Sequence, residues 1–165
     1  MPASPPLQPS SCAASVSATC AAHSLTVPQF HLLREHAVAA KAGAHCPYSN
    51  FRVGAAVLAA DGSVTTGANV ENASYPVGTC AERVALGTAA TRPRPPAGPF
   101  RAVAVAVATD TSPPASPCGM CRQFIREFSS LDVPIVMFDG EGKYVVATLD
   151  ELLPLSFGPE NLGRG

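Results

Sequence analysis

The alternation of polar and apolar positions begins at Val27. Residues 1–25 are rich in Ser, Ala and Pro and show no apolar period, which predicts a disordered tail in which Cys12 and Cys20 have no structural role. From there Phe30, Leu32, Leu33, Ala37, Val38 and Ala40 recur at helical spacing, with Arg34, Glu35 and Lys41 among the polar positions. A loop holding His45, Cys46, Pro47 and Tyr48 follows. Val53–Ala59 reads as a strand, Asp61-Gly62 as a hairpin turn and Ser63–Asn69 as the return strand. Thr79 with Glu82 has the spacing of a capping box, so a helix opens there and runs through Val84–Ala90. The proline-rich stretch 92–99 must be a loop, and Ala102–Ala108 is an apolar run suited to a buried strand. Ser116-Pro117 reads as an N-cap followed by proline at the first helical position, with the helix reaching about Phe128. Pro134–Phe138 and Tyr144–Thr148 are two further strands around Asp139-Gly140. Helices alternating with strands predict an α/β fold: a three-layer α/β/α sandwich around a mixed sheet of about five strands, formed by one domain over residues 26–165.

Composition narrows the partners. The chain has 165 residues, a net charge of −1 and no block of Lys or Arg, so the phosphate-tracking stripe of a nucleic-acid binder is missing. Only 14% of residues are charged, against roughly 25% in a typical soluble domain, which points weakly to surface covered by other subunits. No apolar run approaches the ~20 residues needed to span a bilayer, and no membrane partner is expected. Residues 1–33 contain no Asp, Glu, Lys or Arg, so neither a basic secretory n-region nor an Arg-rich presequence is expected. The expected compartment is the cytoplasm, or the nucleus as well. There the six cysteines read as thiols and metal ligands rather than as a disulfide framework.

Three of those cysteines carry candidate chemistry. Cys80-Ala81-Glu82 and Pro117-Cys118-Gly119-Met120-Cys121 supply three thiols, with one carboxylate two residues from the first. Cys118 and Cys121 share one helix face. In a first helical turn, thiolates are favoured by unpaired N–H groups and the positive end of the dipole, and Cys80 has the same advantage. Three protein ligands leave tetrahedral Zn²⁺ an open position, and an open zinc beside a non-ligating Glu82 is a device for activating water. Arg83 is a further counter-charge to three thiolates. Alone, Cys118-x-x-Cys121 would also suit a structural zinc site, with Cys46 or His45 as fourth ligand, a redox pair, or plain buried thiols. Glu82 alone would suit a capping box.

The combination resembles the zinc-dependent nucleobase deaminases in their three-cysteine form. More closely, Cys46-Pro47-Tyr48-Ser49-Asn50-Phe51, Asn69-Val70-Glu71-Asn72-Ala73-Ser74-Tyr75-Pro76, Cys80-Ala81-Glu82-Arg83, Pro117–Gln123 and Leu152-Leu153-Pro154 with Ser156-Phe157-Gly158-Pro159-Glu160 are similar to the small homotetrameric cytidine deaminases in their animal-like form. The resemblance covers residues 28–162. Ser74 departs from it, standing where many animal relatives carry cysteine.

The resemblance implies one Zn²⁺ per subunit on Cys80, Cys118 and Cys121, with Glu82 as the proton shuttle. Asn69 and Glu71 would hold the ribose hydroxyls and Phe51 would pack near the base. Backbone groups near Ala81 and Ser116 would contact the pyrimidine, and Tyr75 and Phe157 would act across subunit interfaces of a homotetramer. The implied activity is hydrolysis of cytidine and 2′-deoxycytidine to uridine and 2′-deoxyuridine with release of ammonia, as in pyrimidine salvage. Three alternatives stay open at this stage: a blasticidin-type deaminase, a polynucleotide-editing deaminase, and a non-enzymatic module with a closed four-ligand zinc site.

Overall fold

A computed structural model describes residues 5–93 and 99–163. The first four residues of the expected tail, residues 94–98 of the expected loop and residues 164–165 lie outside the described part. The elements are β1 (Gln8–Pro9), α1 (Ala13–Ala22), α2 (Val27–Ala40), β2 (Val53–Ala59), β3 (Val64–Ala68), α3 (Ala81–Thr91), β4 (Ala102–Thr109), α4 (Gly119–Phe128), β5 (Pro134–Phe138), β6 (Lys143–Thr148) and α5 (Leu149–Leu152).

The strands form one sheet in the order β1-β6-β5-β4-β2-β3. Among the described residues β4 pairs with β5 in parallel and the other neighbouring strands pair antiparallel, so the sheet is mixed as expected but has six strands rather than five. Two-residue side-chain alternation sorts the core into two halves. Ala55, Val57, Val105, Val107, Ile135 and Met137 face the layer containing α3 and α4, with Ala85, Leu86 and Ile125. Ala56, Leu58, Ala104, Ala106, Val136 and Phe138 face the layer of α1 and α2, with Phe30, Leu33 and Ala37. Small residues on β4 let α2 approach closely. Leu32 and Val38, read as part of the apolar stripe of α2, are exposed instead, at 37% and 40%.

The expected disordered tail is not what the structure shows for residues 8–25. Gln8 and Pro9 pair with Tyr144 and Lys143, adding the sixth strand at an edge, where a proline without an N–H is tolerated. Helix α1 is Ala-rich and hence a good helix former, and it buries Val16, Thr19 and Cys20. Those three positions are spaced i, i+3 and i+4, one helical face, and they pack on the aromatic cluster of Phe30, Phe138 and Tyr144. The Thr19 and Tyr144 hydroxyls are hydrogen-bonded at 2.9 Å. Cys20 is therefore a core residue, and all six cysteines are free thiols.

Candidate metal and catalytic centre

Both helices expected to open on cysteines do so, with a shift in cap assignment. Cys80 itself is the N-cap of α3, and no side chain caps it. Thr79 is held instead in an antiparallel bridge, exchanging hydrogen bonds of 2.8 and 2.9 Å with Val70. Glu82 then falls at N2, where it cannot close a capping box. Cys118 is likewise the N-cap of α4, placing Cys121 at N3. Ser116 and Pro117 lie in the approach to the helix, since a residue before proline is held extended.

One close approach sets where α3 begins. A Cβ on Gly67 would lie 2.5 Å from both the Ala81 carbonyl oxygen and the Ala85 nitrogen, so β3 and α3 touch backbone to backbone at that point. The Cys80 thiol lies 3.9 Å from that of Cys118, which lies 3.6 Å from that of Cys121, and all three fall within 4.8 Å of one another. A tetrahedral zinc with Zn–S of about 2.3 Å needs sulfurs about 3.8 Å apart. The donor set fits zinc.

The electrostatics agree. The Cys80 thiol is drawn down to about 5, chiefly by its hydrogen bond with Cys121, against burial and with help from Arg83. Cys121 is pushed up by its bond to Cys80 and by burial. Cys80 thus gives up its proton readily, whereas the proton of Cys121 is one that a bound metal would displace. Arg83 donates through Nη2 to the Gly78 carbonyl at 3.3 Å and towards the Cys80 sulfur at 3.9 Å, while its buried Nε has no hydrogen-bond partner among the described residues. Glu82 is 4% exposed, and burial raises its carboxyl above the ordinary range, with the Cys80 charge adding to the effect. A carboxyl poised upward beside a metal site is equipped to exchange protons.

Asn69 and Glu71 lie on a segment tied to Thr79, the residue before Cys80. Strand-like pairing stitches segment 69–71 between two others: His45 N–H donates to the Asn69 carbonyl, Glu71 N–H to the His45 carbonyl, and Val70 bridges to Thr79. Asn69 and Glu71 consequently stand on one side of this segment. Asn69 donates to the Phe51 carbonyl and accepts from Val53 N–H, both at 2.8 Å, which among the described residues uses one of its two amide N–H groups and one of its two oxygen lone pairs. The Glu71 carboxylate accepts from Tyr48 N–H at 2.9 Å, from Ser49 N–H at 3.2 Å and from the Ser49 hydroxyl. The Ser49 hydroxyl bond foremost holds it below the usual carboxylate range. Tyr48, Ser49, Glu71, Asn72, Tyr75 and Gly78 line a cleft of about 360 Å³.

Phe51 is at the surface rather than in the core, at 36% exposure. Tyr75 and Phe157 are not core either, at 73% and 58% exposed, and Tyr75 stacks obliquely on Tyr48 with centroids 5.7 Å apart. Ala81 is fully buried in the first turn of α3, and Ser116 is exposed with its hydroxyl accepting from Arg122 at 2.9 Å. Sequence reading gave no role to Tyr48, Ser49 or Arg122. Tyr48 and Ser49 lie in a motif already singled out, but only the fold brings them to Glu71.

Residues 29–137 match the family model of the cytidine and deoxycytidylate deaminase zinc-binding region. The chain belongs to that family. Among these deaminases, the cytidine deaminase of Halalkalibacterium halodurans is 44% identical over 131 residues, which cover 79% of this chain and 96% of the relative. That of Sporosarcina psychrophila is 42% identical over 123 residues, covering 74% and 87%. The crystal structure of the cytidine deaminase from Burkholderia pseudomallei matches with a TM-score of 0.69 at 45% identity, over 77% of this chain and 98% of that one. These relatives are matched over 87–98% of their length, whereas a fifth to a quarter of this chain lies outside the match.

Proposed function

We infer that this protein is a zinc-dependent cytidine deaminase, converting cytidine and 2′-deoxycytidine with water to uridine or 2′-deoxyuridine and ammonia in pyrimidine salvage. The observation that carries this reading is the convergence of three thiols on two helix starts beside one buried glutamate. Cys80, Cys118 and Cys121 would hold the zinc ion, which would supply Lewis acidity and an activated water.

The chain's own residues do the rest. Glu82 accepts a proton from the attacking water and delivers it to N3 of the pyrimidine. It then takes the proton of the hydroxyl newly formed at C4 and passes it to N4, so that ammonia departs as the C4 carbonyl forms and one carboxylate serves both transfers. Arg83 offsets the charge of the thiolates. Glu71, with its carboxylate fixed as an anion at the cleft wall, accepts a ribose hydroxyl, and Asn69 offers its remaining N–H. Phe51 packs near the base, and the backbone at Ala81 and Ser116 meets the pyrimidine edge.

The same reading makes the protein a homotetramer with sites completed by neighbours, working in the cytoplasm; the relatives lend nothing to the nuclear alternative. Exposed apolar side chains near the centre support the assembly: Met120 at 65%, Tyr75 at 73%, Val77 at 63% and Phe157 at 58%. Among the described residues, no helix is long and apolar enough to cross a membrane.

Ultraviolet-monitored turnover of cytidine by the zinc-loaded protein tests the proposal, with Glu82→Gln beside it. Loss of the cytidine spectrum with ammonia release, abolished in the variant while zinc stays bound, is the expected result. Substantial turnover by Glu82→Gln would remove the glutamate from the mechanism. A stable monomer in sedimentation would undo the shared sites.

A further inference from the structure

The geometry points to Arg122 as a positioning residue for the metal turn, an anchor that ties the approach to Cys118 to a separate element of the fold. Its guanidinium makes three hydrogen bonds in three directions. Nε donates to the Pro117 carbonyl at 2.7 Å, Nη2 to the Ser116 hydroxyl at 2.9 Å, and Nη1 to the Leu152 carbonyl at 2.7 Å. The Arg122 backbone N–H meanwhile donates to the Cys118 carbonyl at 3.0 Å. One residue therefore holds two consecutive carbonyls and the hydroxyl ahead of them. The backbone on both sides of the Cys118 Cα is therefore tied to Arg122.

The Leu152 bond gives this brace its purpose. Arg122 sits on α4, so its bonds to Ser116 and Pro117 alone would let turn and helix move as a unit. The bond to Leu152 fixes both against α5, whose start is closed by a capping box between Thr148 and Glu151 directly after β6. Cys80 belongs to a different helix, so its distance to Cys118 depends on how each helix is held to the rest of the fold. Gly67 sets α3 against the sheet; Arg122 does the equivalent for the turn before α4. A planar fork with donors in three directions suits this task, and lysine, with a single nitrogen, cannot reach all three acceptors.

Further along α4 the same face is tied again, but away from the metal. Gln123 donates to the Phe157 carbonyl at 3.0 Å, and Arg126 bonds the Ser156 hydroxyl at 3.1 Å and pairs with Glu160. These ties provide a comparison that loosens α4 from the C-terminal segment without touching residues 116–118.

This assignment rests on the three cysteines being the zinc site. The test follows zinc release from loaded, full-length protein to a colorimetric chelator, with no substrate present, alongside kcat, KM and melting temperature. Arg122→Lys is expected to release zinc on the order of 10-fold faster and to lose kcat more than it raises KM; Arg122→Met exceeds it in both. Glu160→Gln keeps the wild-type release rate. Arg122→Lys and Ser116→Ala carry the test if Arg122→Met does not fold. Wild-type release and kcat in Arg122→Lys, or release that merely tracks melting temperature across all variants including Glu160→Gln, would overturn the assignment. A wild-type protein that binds no zinc would instead overturn the parent reading.

Discussion

Gly67→Ala tests whether the position of α3 sets the metal site. An added Cβ would stand 2.5 Å from the Ala81 carbonyl oxygen and the Ala85 nitrogen, about 0.9 Å inside the 3.4 Å of ordinary contact. Both obstacles are helix backbone, which cannot rotate away as a side chain could. The first turn of α3 must therefore move off β3, and it carries Cys80 and Glu82. Overpacking of this kind costs about 1–3 kcal/mol, and at about 2–4 °C per kcal/mol for a chain of this size the melting temperature should fall by roughly 2–12 °C. Displacing reacting groups by ~1 Å costs on the order of 10²-fold in rate. The loss in kcat should thus exceed what the fraction unfolded explains, and zinc should leave faster. Gly87→Ala is the matched control on the same helix: nothing lies within 4 Å of its added Cβ, so helix propensity should stabilise the fold by about 0.5–1 kcal/mol without loss of rate. Calorimetry, zinc release and steady-state kinetics on both variants decide the matter. Wild-type stability and kcat in Gly67→Ala would refute the backbone contact as the determinant of the site.

Tyr144→Phe should lower stability by about 1 kcal/mol in urea titration, because it removes the 2.9 Å buried bond to Thr19 and the 3.3 Å bond to Gln8 while leaving turnover unchanged. An unchanged midpoint would mean that residues 8–22 do not dock on β6 as described. Asp110 accepts from Lys41 Nζ and Arg52 Nε, both at 2.8 Å, and the Lys41 bond foremost holds its carboxyl below the ordinary range. A depressed folded value means stability that is present above the unfolded value of about 3.9 and is lost as pH falls through the folded one. The stability difference between wild type and Asp110→Asn should therefore be constant near neutrality and shrink in acid; a difference independent of pH would show that the ion pairs contribute nothing. Chelation of zinc should lower the melting temperature and abolish turnover together, since ligand bound only by the folded state stabilises it. A zinc-free protein with an unchanged melting point would contradict a site shared by two helices.

The thiol cluster and the glutamate beside it were legible because their determinants are local. Cys118-x-x-Cys121 fixes one helix face whatever lies around it, and Cys-x-Glu fixes a carboxylate beside the third thiol. The cap positions were misjudged by one or two residues because a competing partner was invisible in the sequence. Thr79 has the side chain of a cap, yet its backbone is taken by Val70 in a bridge that only the return of segment 69–71 creates. The same limit hid the Glu71 contacts with Tyr48 and Ser49, more than 20 residues apart, and the reach of Arg122 to Leu152, 30 residues away.

Residues 8–25 show the other way in which pattern reading fails. Val16, Thr19 and Cys20 do have helical spacing, but Ala, Ser, Thr and Cys are such weak hydrophobic signals that the stripe does not stand out from its background. What makes them core is the surface they meet. Tyr144 lies 125 residues downstream of Thr19, and Phe30 and Phe138 complete an aromatic face that would otherwise be open at the end of the sheet. Small side chains let α1 come close to those rings, so a helix of modest hydrophobicity gains contact area from its partner rather than from its own bulk. The feature that made this segment look disordered, the scarcity of large apolar residues, is the one that lets it fit. The sixth strand follows from the same docking, because a two-residue edge strand containing proline has no stability of its own and pairs only where an adjoining helix holds it against β6.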